Sequence, residues 1–476
     1  MTIKQPRLAF TLLVLFGINT MNFYDRQVLG AVGEPLKEAW KLNDQELGQL
    51  GTAFILLYAI VGIPLGRWAD FGRRTYILAG GVTLWSLLTA VSGLAWSFWS
   101  LFTMRLGVGV GEASCAPAAN SLLGDLFPAQ RRARAISIFM LGLPLGLGLS
   151  FIVSGYIAKH YGWREAFYIA GLPGLALGVL ALWIPEPSRG AAEAHPVASD
   201  YRSGAPLIRL LGIPTLWWII ISGALHNFNM YANGQFLSSF LVRYHGLTSQ
   251  GAGWLLGISY VFGGFGLLIG GWICDRAVKR RIRGRLEVAT VAILIFVPCM
   301  FLALQCRPQN YWGFALWFLP ACILSYVYYS GVYAAIQDIV EPALRGTAMA
   351  LYFFAMYLLG AGLGPVGMGW TSDYFARQTA LKQPSVTPTA VASLVASQAN
   401  SPVTLPWAIY VDSVQNAHAA RAVGLHQAMF LVPWLGCGLV LVLFAASRTV
   451  KGDHDKLQKW MAVTHSTCTS MAEKCS

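Results

Sequence analysis

Apolar stretches of about 20 residues or more, each enough to cross a hydrocarbon core of about 30 Å as a helix, recur twelve times along this 476-residue chain. They fall at residues 8–32, 47–66, 75–97, 99–124, 135–158, 165–184, 214–242, 252–273, 287–305, 312–337, 347–370 and 424–447. Inside a bilayer the backbone must satisfy its own hydrogen bonds, so such a pattern predicts an all-α integral membrane protein. Composition agrees. Hydrophobic residues are 56% of the chain and charged residues 12%, whereas soluble domains carry about 25% charged residues.

A net charge of +13 raises the question of nucleic acid. The basic residues do not gather on one face or in one domain, and that excludes it. They alternate between loops instead: 23 lie in loops on the side of the N-terminus and 9 on the other, with Arg26 and Arg105 inside spans. The excess of positive charge predicts that both termini are cytoplasmic. Loop 276–285 is the strongest contributor, with Arg276, Lys279, Arg280, Arg281, Arg283 and Arg285. The first apolar run, from Leu8, has no small-residue cleavage pattern and continues into a full span, so no cleavable leader is expected. Eight cysteines are scattered without a CxxC pair or metal-ligand spacing, and neither a disulfide nor a metal site is expected.

The chain divides into a six-span unit over 1–185, a Pro/Ala/Gly/Ser-rich cytoplasmic linker over 186–208, a second six-span unit over 209–447 and a polar tail over 448–476. The second unit contains a long exterior loop at 376–423. The two units repeat one another. Gly66-Arg67-Trp68-Ala69-Asp70 follows the second span as Gly271-Trp272-Ile273-Cys274-Asp275 follows the eighth. Pro128-Ala129-Gln130-Arg131 matches Pro342-Ala343-Leu344-Arg345 at an offset of 214, and Gly146, Gly148 and Gly155 match Gly360, Gly362 and Gly369 at the same offset. Two six-helix bundles related by an axis along the membrane normal follow from this duplication.

Ionisable residues inside spans are costly and mark a pathway. Asp25 in the outward-running first span and Arg105 in the inward-running fourth are both about 10 Å from the outer boundary. They are expected to pair when the outer side is closed, either as a gate or as a fixed structural ion pair. Glu112 lies two helical turns beyond Arg105 on the same face, near the midplane. It is the first candidate for a proton-coupling site and Asp25 the second; the competing reading is a Glu held permanently by Arg105 or a hydroxyl. Arg26 points about 100° away from Asp25 and fits snorkelling to the outer interface as well as it fits substrate binding. Arg105 is the better candidate for gripping phosphate.

The seventh span is unusually polar, with His226, Asn227, Asn229, Tyr231 and Asn233, so part of it should face a cavity. Asn227 and Asn229 are candidates for substrate contact, and His226 is expected to be a neutral packing residue. Tyr326, Tyr329 and Tyr333 share one face of the tenth span. They line a cavity or pack helices; Tyr329 and Tyr333 are taken as candidate binding residues. The Gly107-x-Gly109-x-Gly111 run lies inside an apolar helix with no strand before it, which excludes a nucleotide loop.

The segment Gly66-Arg67-Trp68-Ala69-Asp70-Phe71-Gly72-Arg73-Arg74 resembles the loop signature of the major facilitator superfamily, and the Gly-rich fifth and eleventh spans resemble that superfamily's helix-packing motif. Phe71 departs from the usual Arg, which Arg276 keeps in the second unit. A narrower resemblance is to the spinster family of lysolipid and sphingolipid transporters. It rests on Asn22-Phe23-Tyr24-Asp25-Arg26, on Arg105 through Ser114, and on Gly124-Asp125-Leu126-Phe127 followed by Arg131 and Arg134. Cys115 stands where that family suggests Tyr. The resemblance implies twelve helices in two pseudo-symmetric bundles and alternating-access transport of a lysophospholipid or sphingosine-1-phosphate-like lipid driven by protons. It also implies a gating latch of Asp70, Arg73, Arg74, Asp275 and Arg276 at the cytoplasmic helix ends, alongside Asp25 and Arg26.

The competing functions are transport of a small organic anion or drug, a lipid-modifying membrane enzyme, and a non-transporting lipid sensor. No nucleophile or metal constellation supports the enzyme. The expected setting is a monomer in a bacterial inner membrane, acting on an amphipathic lipid and protons, with no cofactor and no nucleic acid.

Overall fold

The computed structural model of the chain describes residues 5–127, 129–188, 210–341, 344–382 and 419–475. All regular elements among them are helical. Nine stretches are long and apolar enough to cross a membrane, from Arg7–Ala31 to Ala419–Lys459. The second, fourth and seventh spans, which carry much of the polar load, are helical as well, at Asp44–Phe71, at Phe98–Glu112 with Cys115–Leu126, and at Pro214–His245.

Helix ends follow local chemistry. Asn43 caps the second span, accepting from the Glu46 N–H while the Glu46 carboxylate accepts from the Asn43 N–H. Thr248 caps the eighth span on the Gly251 N–H. The fourth span breaks just after Glu112. Pro117 cannot donate to the Ala113 carbonyl, and Ser114 turns its hydroxyl back onto Gly111 O at 2.8 Å. The fifth and eleventh spans each contain a π-helical turn, at Ser150–Ser154 and Met356–Ala361.

Contacts between the halves repeat as the sequence does. Gly155 of the fifth span lies against the Ser249 carbonyl that opens the eighth, and Gly369 of the eleventh lies against the Asp44 carbonyl that opens the second. Gly253 meets the Phe151 carbonyl as Gly48 meets the Pro365 carbonyl. Any side chain at these glycines would collide with backbone, so glycine lets the halves approach this closely. All of these contacts lie toward the end of the bundle carrying residues 32–44, the far end, opposite the N-terminus. One hydrophobic cluster runs from the second half into the far end of the first, through Val28, Leu29, Leu36, Phe151, Phe236 and Phe240. A separate cluster fills the near end of the first half, with Leu15, Leu78, Trp85 and Leu122. Among the described residues, the main core shared by the halves thus lies toward the far end, and a small cluster of Phe54, Ile55 and Ala361 also joins them.

Three expected boundaries shift. The eleventh helix continues to Lys382, so residues 376–382 are not loop, and helix resumes at 419 rather than 424; the remaining expected loop, 383–418, lies outside the described residues. The tail expected over 448–476 continues the last helix, Leu431–Cys475. The first linker residues are anchored to the helical bundle. The buried Arg74 guanidinium binds Asp125, Ser121 Oγ at 3.0 Å, Glu186 at 2.8 Å and the Pro187 carbonyl at 2.7 Å, and Glu186 also accepts from the Thr75 N–H at 2.9 Å. Burial raises the Glu186 carboxyl, but hydrogen bonds from Thr75 and Arg74 outweigh it and hold it below the usual carboxylate range. Residues 189–209 lie outside the described residues.

Candidate functional site

Arg26 of the first span and Glu112 of the fourth meet at the contact between the halves. The kink after Glu112 leaves its carboxylate at the end of a helical segment, facing the first span. There the Arg26 guanidinium donates from Nε to Glu112 Oε2 at 2.9 Å, with neither side chain more than 2% exposed. The same guanidinium crosses to the second half. Its Nη1 donates to Tyr231 Oη at 3.1 Å in the seventh span and Tyr357 Oη at 3.2 Å in the eleventh. Phe23 and Tyr58 complete the enclosure, their ring centres 4.9 and 4.6 Å from the Arg26 guanidinium carbon. Tyr58, Tyr231 and Tyr357 are only partly buried, as are Tyr329 and Tyr333. The ring centres of Tyr329 and Tyr333 are 5.4 Å apart. These tyrosines form a wall that is apolar over the ring faces and polar at the hydroxyls, suited to an amphipathic molecule.

Two expectations about charge partners change. Arg26 does not snorkel outward; it is the group that joins the halves. Arg105 is fully buried within the first half and is not presented to the cavity. Its Nη1 donates to the Asp25 backbone carbonyl at 3.3 Å, not to the carboxylate, and its guanidinium stacks on Phe54 at 5.3 Å. The cause is packing. Gly109, one turn along, lies directly against the Phe54 carbonyl, so the second and fourth spans close over Arg105. The Asp25 carboxyl is also fully buried. Its surroundings include the Trp85 and Thr89 side chains.

The seventh-span amides face inward within the second half. Asn227 Nδ2 donates to the Gly223 carbonyl at 3.1 Å, and Asn229 Nδ2 to the Val432 carbonyl of the last span at 3.1 Å. Asn229 thus joins two helices, whereas the Asn227 bond stays within its own helix; neither amide is hydrogen-bonded to Arg26. His226 stacks on Tyr328 at 4.0 Å and meets Tyr329 edge-on at 4.9 Å, as a packing histidine does. Of the residues expected at the near-end latch, Asp275 is 74% exposed and 3.6 Å from Arg285. Arg276 lies on the Trp272 ring at 3.5 Å and Arg73 on Tyr76 at 4.3 Å. The side chain of Asp70 lies outside the described residues.

A second charged group, at the far end, escaped the sequence reading. Arg243 closes the seventh span and bridges two elements of the first half. It donates from Nε to Glu34 Oε2 at 2.8 Å and from Nη1 and Nη2 to both Asp44 oxygens at 2.8 Å. Lys37 also binds Asp44, and Ser372 donates to Asp44 Oδ2 at 2.6 Å. Asp373 accepts from the Gln45 N–H at 2.8 Å. Burial would raise the Asp44 carboxyl, but Arg243 and Lys37 outweigh it and hold it well below the usual carboxylate range. The one available signal was five charged residues within the outer turn 34–44 opposite a lone Arg243.

Comparison with known proteins accords with this architecture. Residues 15–365 match the model of the Major Facilitator Superfamily. An MFS-type efflux pump of Mycolicibacterium smegmatis is 31% identical over 371 residues, covering 77% of this chain and 85% of that protein. Mouse protein spinster homolog 1 is 29% identical over 396 residues, covering 76% of this chain and 73% of that one. A bacterial homologue of the human lysosomal transporter spinster, solved inward-facing and unoccupied, superposes with a TM-score of 0.79 at 27% identity, over 95% of this chain and 99% of that one. Its inward-facing, occupied form superposes with a TM-score of 0.78. The chain therefore belongs to the Major Facilitator Superfamily and is a membrane transporter related to the spinster proteins, not an enzyme.

Proposed function

We propose that this protein is a secondary active transporter of a phosphate-bearing single-chain lipid, of the lysophospholipid or sphingosine-1-phosphate type, working by proton-coupled alternating access. The observation that carries the reading is Arg26, which binds Glu112 on one side and Tyr231 and Tyr357 of the other half on the other. A guanidinium is the natural partner of a phosphate, and the partly exposed tyrosines beside it offer a wall for an acyl chain.

The geometry suggests a cycle. A phosphate arriving between the halves competes with Glu112 for Arg26. Stripped of its cation, the buried Glu112 carboxylate would cost several kcal/mol, so it takes up a proton as Arg26 turns to the ligand. Loss of that proton draws Arg26 back and releases the lipid. Ligand and proton thus exchange at one ion pair, the ligand on Arg26 and the proton on Glu112, which couples them without direct contact. The candidate list shifts accordingly: Arg26, Glu112, Tyr231, Tyr357, Tyr329 and Tyr333 carry binding and coupling. Arg105 and Asp25 support the first span from behind, and Asn227 and Asn229 hold the second half. Asp70, Arg73, Arg74, Asp275 and Arg276 serve the near end when it closes. With the far end taken as exterior and both termini cytoplasmic, the described state is closed to the outside. We place the protein in a bacterial inner membrane as a monomer.

The relative named an efflux pump favours a second reading, export of a small organic anion or drug through the same cavity. Flux into proteoliposomes with and without a proton gradient, comparing wild type with Glu112→Gln, tests the coupling. Competition between lysolipid and small organic acids separates the substrates. Proton-independent wild-type flux, or full pH-dependence in Glu112→Gln, overturns the mechanism.

A further inference from the structure

The far-end latch borders a cavity of about 380 Å³ whose described lining residues are all charged: Glu34, Lys37, Glu38, Lys41, Arg243 and Arg421. A volume of this size lies within the usual range of small-molecule sites, about 300–1,000 Å³. The lining draws on both halves, with the outer turn of the first and the starts or ends of the seventh and last spans of the second.

An account of donors shows what the cavity would take. A guanidinium has five N–H groups and an ammonium three. Arg243 commits four of its five to Glu34 and Asp44, and Lys37 commits one of its three to Asp44. Among the described residues, neither Lys41 nor Arg421 forms an ion pair, and both are exposed. Among the described residues, two carboxylates line the cavity, and Glu34 is already engaged by Arg243. Positive charge and unspent N–H groups are therefore in surplus. A second feature points the same way. Lys41 occupies the left-handed position that ends the helix Gly33–Trp40, at φ 55°. Glycine is the residue that adopts this conformation without cost, yet the chain places a long cationic side chain there, at the lip of the cavity.

We infer that this cavity is an anion site for a phosphate group, held by Lys41 and Arg421 with the spare donors of Lys37 and Arg243. Because these last two also hold Glu34 and Asp44, an anion seated here competes with the carboxylates that close the far end and so favours its opening. Assigning the phosphate to a leaving lipid headgroup rests on the function proposed above; the anion site itself does not.

Lysine acylation of the full-length, detergent-solubilised protein, read by mass spectrometry, tests this. Lys41 is the reporter, and exposed Lys451 and Lys459 at the opposite end are internal controls. Inorganic phosphate at about twice its dissociation constant should slow Lys41 acylation about threefold relative to chloride at matched ionic strength, with the controls unmoved. Arg421→Gln should remove most of that protection. In Arg26→Gln, which breaks the central site, the protection should persist even though lipid flux is lost; this separates failure of the anion site from failure of the proposed function. Protection by free phosphate identifies a free-anion site. Protection by a short-chain lysophospholipid alone identifies the headgroup as the source. No protection by either, protection unchanged in Arg421→Gln, or equal protection by a phosphate-free lipid of the same chain overturns the proposal.

Discussion

Arg26 and Glu112, 86 positions apart, meet at 2.9 Å in a setting sealed from solvent, and the same guanidinium reaches two tyrosines of the opposite half. One side chain thereby touches both Glu112 of the first half and the tyrosines of the second. A buried pair of this kind is an unreliable source of stability, since desolvation offsets most of the attraction, but removing one partner alone is severe.

Arg26→Leu should therefore cost about 3–5 kcal/mol by stranding the Glu112 charge, and thermal unfolding in detergent should register the loss. The double variant Arg26→Leu/Glu112→Gln should recover most of that stability while lipid flux stays at background. If the double variant is no more stable than the single, the two residues are not coupled as drawn.

Glu112→Gln by itself keeps the shape of the side chain and a group able to accept from Arg26. We expect a folded protein that binds lysolipid, with transport that no longer responds to a proton gradient. Binding measured by fluorescence of a labelled lipid, alongside flux in proteoliposomes, distinguishes lost coupling from lost affinity.

At the far end, Arg243→Ala removes the cation shared by Glu34 and Asp44. Losing one member of a buried, hydrogen-bonded charge group costs about 2–5 kcal/mol, here from the closed state alone. Spin labels on the outer ends of the second and eleventh spans should show a longer distance distribution in the variant. An unchanged distribution would mean that apolar and glycine contacts suffice to hold this end shut.

Acidity should leave that latch alone. The folded pKa of Asp44 is depressed, so its contribution is fully present above the ordinary carboxylate pKa, about 3.9, and is lost only as pH falls through the depressed value. The spin-label distances in an Arg26→Leu/Glu112→Gln background should stay constant between pH 5 and pH 8. A change across that range would point to Asp373, whose carboxyl is raised above its ordinary value by burial, as the group that opens the latch.

The repeated glycine contacts allow a paired test. Gly369→Ala drives a methyl group into the Asp44 carbonyl, and Gly155→Ala into the Ser249 carbonyl. Each should disfavour far-end closure, with a smaller effect for Gly155→Ala, whose contact at 2.8 Å is the looser of the two. Lower flux with an outward shift in spin-label distance is the expected outcome for both.

What the sequence determined by itself was whatever depends on nearest neighbours along the chain or on counting. Hydrophobic runs pointed to segments that the described residues show as helices, since each must satisfy the bilayer alone. Alternating basic loops gave an expected orientation, and the matched glycines and PAxR segments exposed the duplication. Glu112 and Asp25 stood out because isolated acids in apolar helices are rare. Only the tertiary structure decided which of two adjacent residues, Asp25 or Arg26, turns to the opposite half, because a few tens of degrees of helix rotation settle that, and the first span is held by the close contacts of Gly30 with the Gly234 carbonyl and of Gly146 with the Thr20 carbonyl. Packing of Gly109 on the Phe54 carbonyl enclosed Arg105, which sequence spacing had offered to the ligand. The Arg243 latch was invisible for a plainer reason. Its partners are 199 and 209 positions away, and nothing local records that the chain returns there.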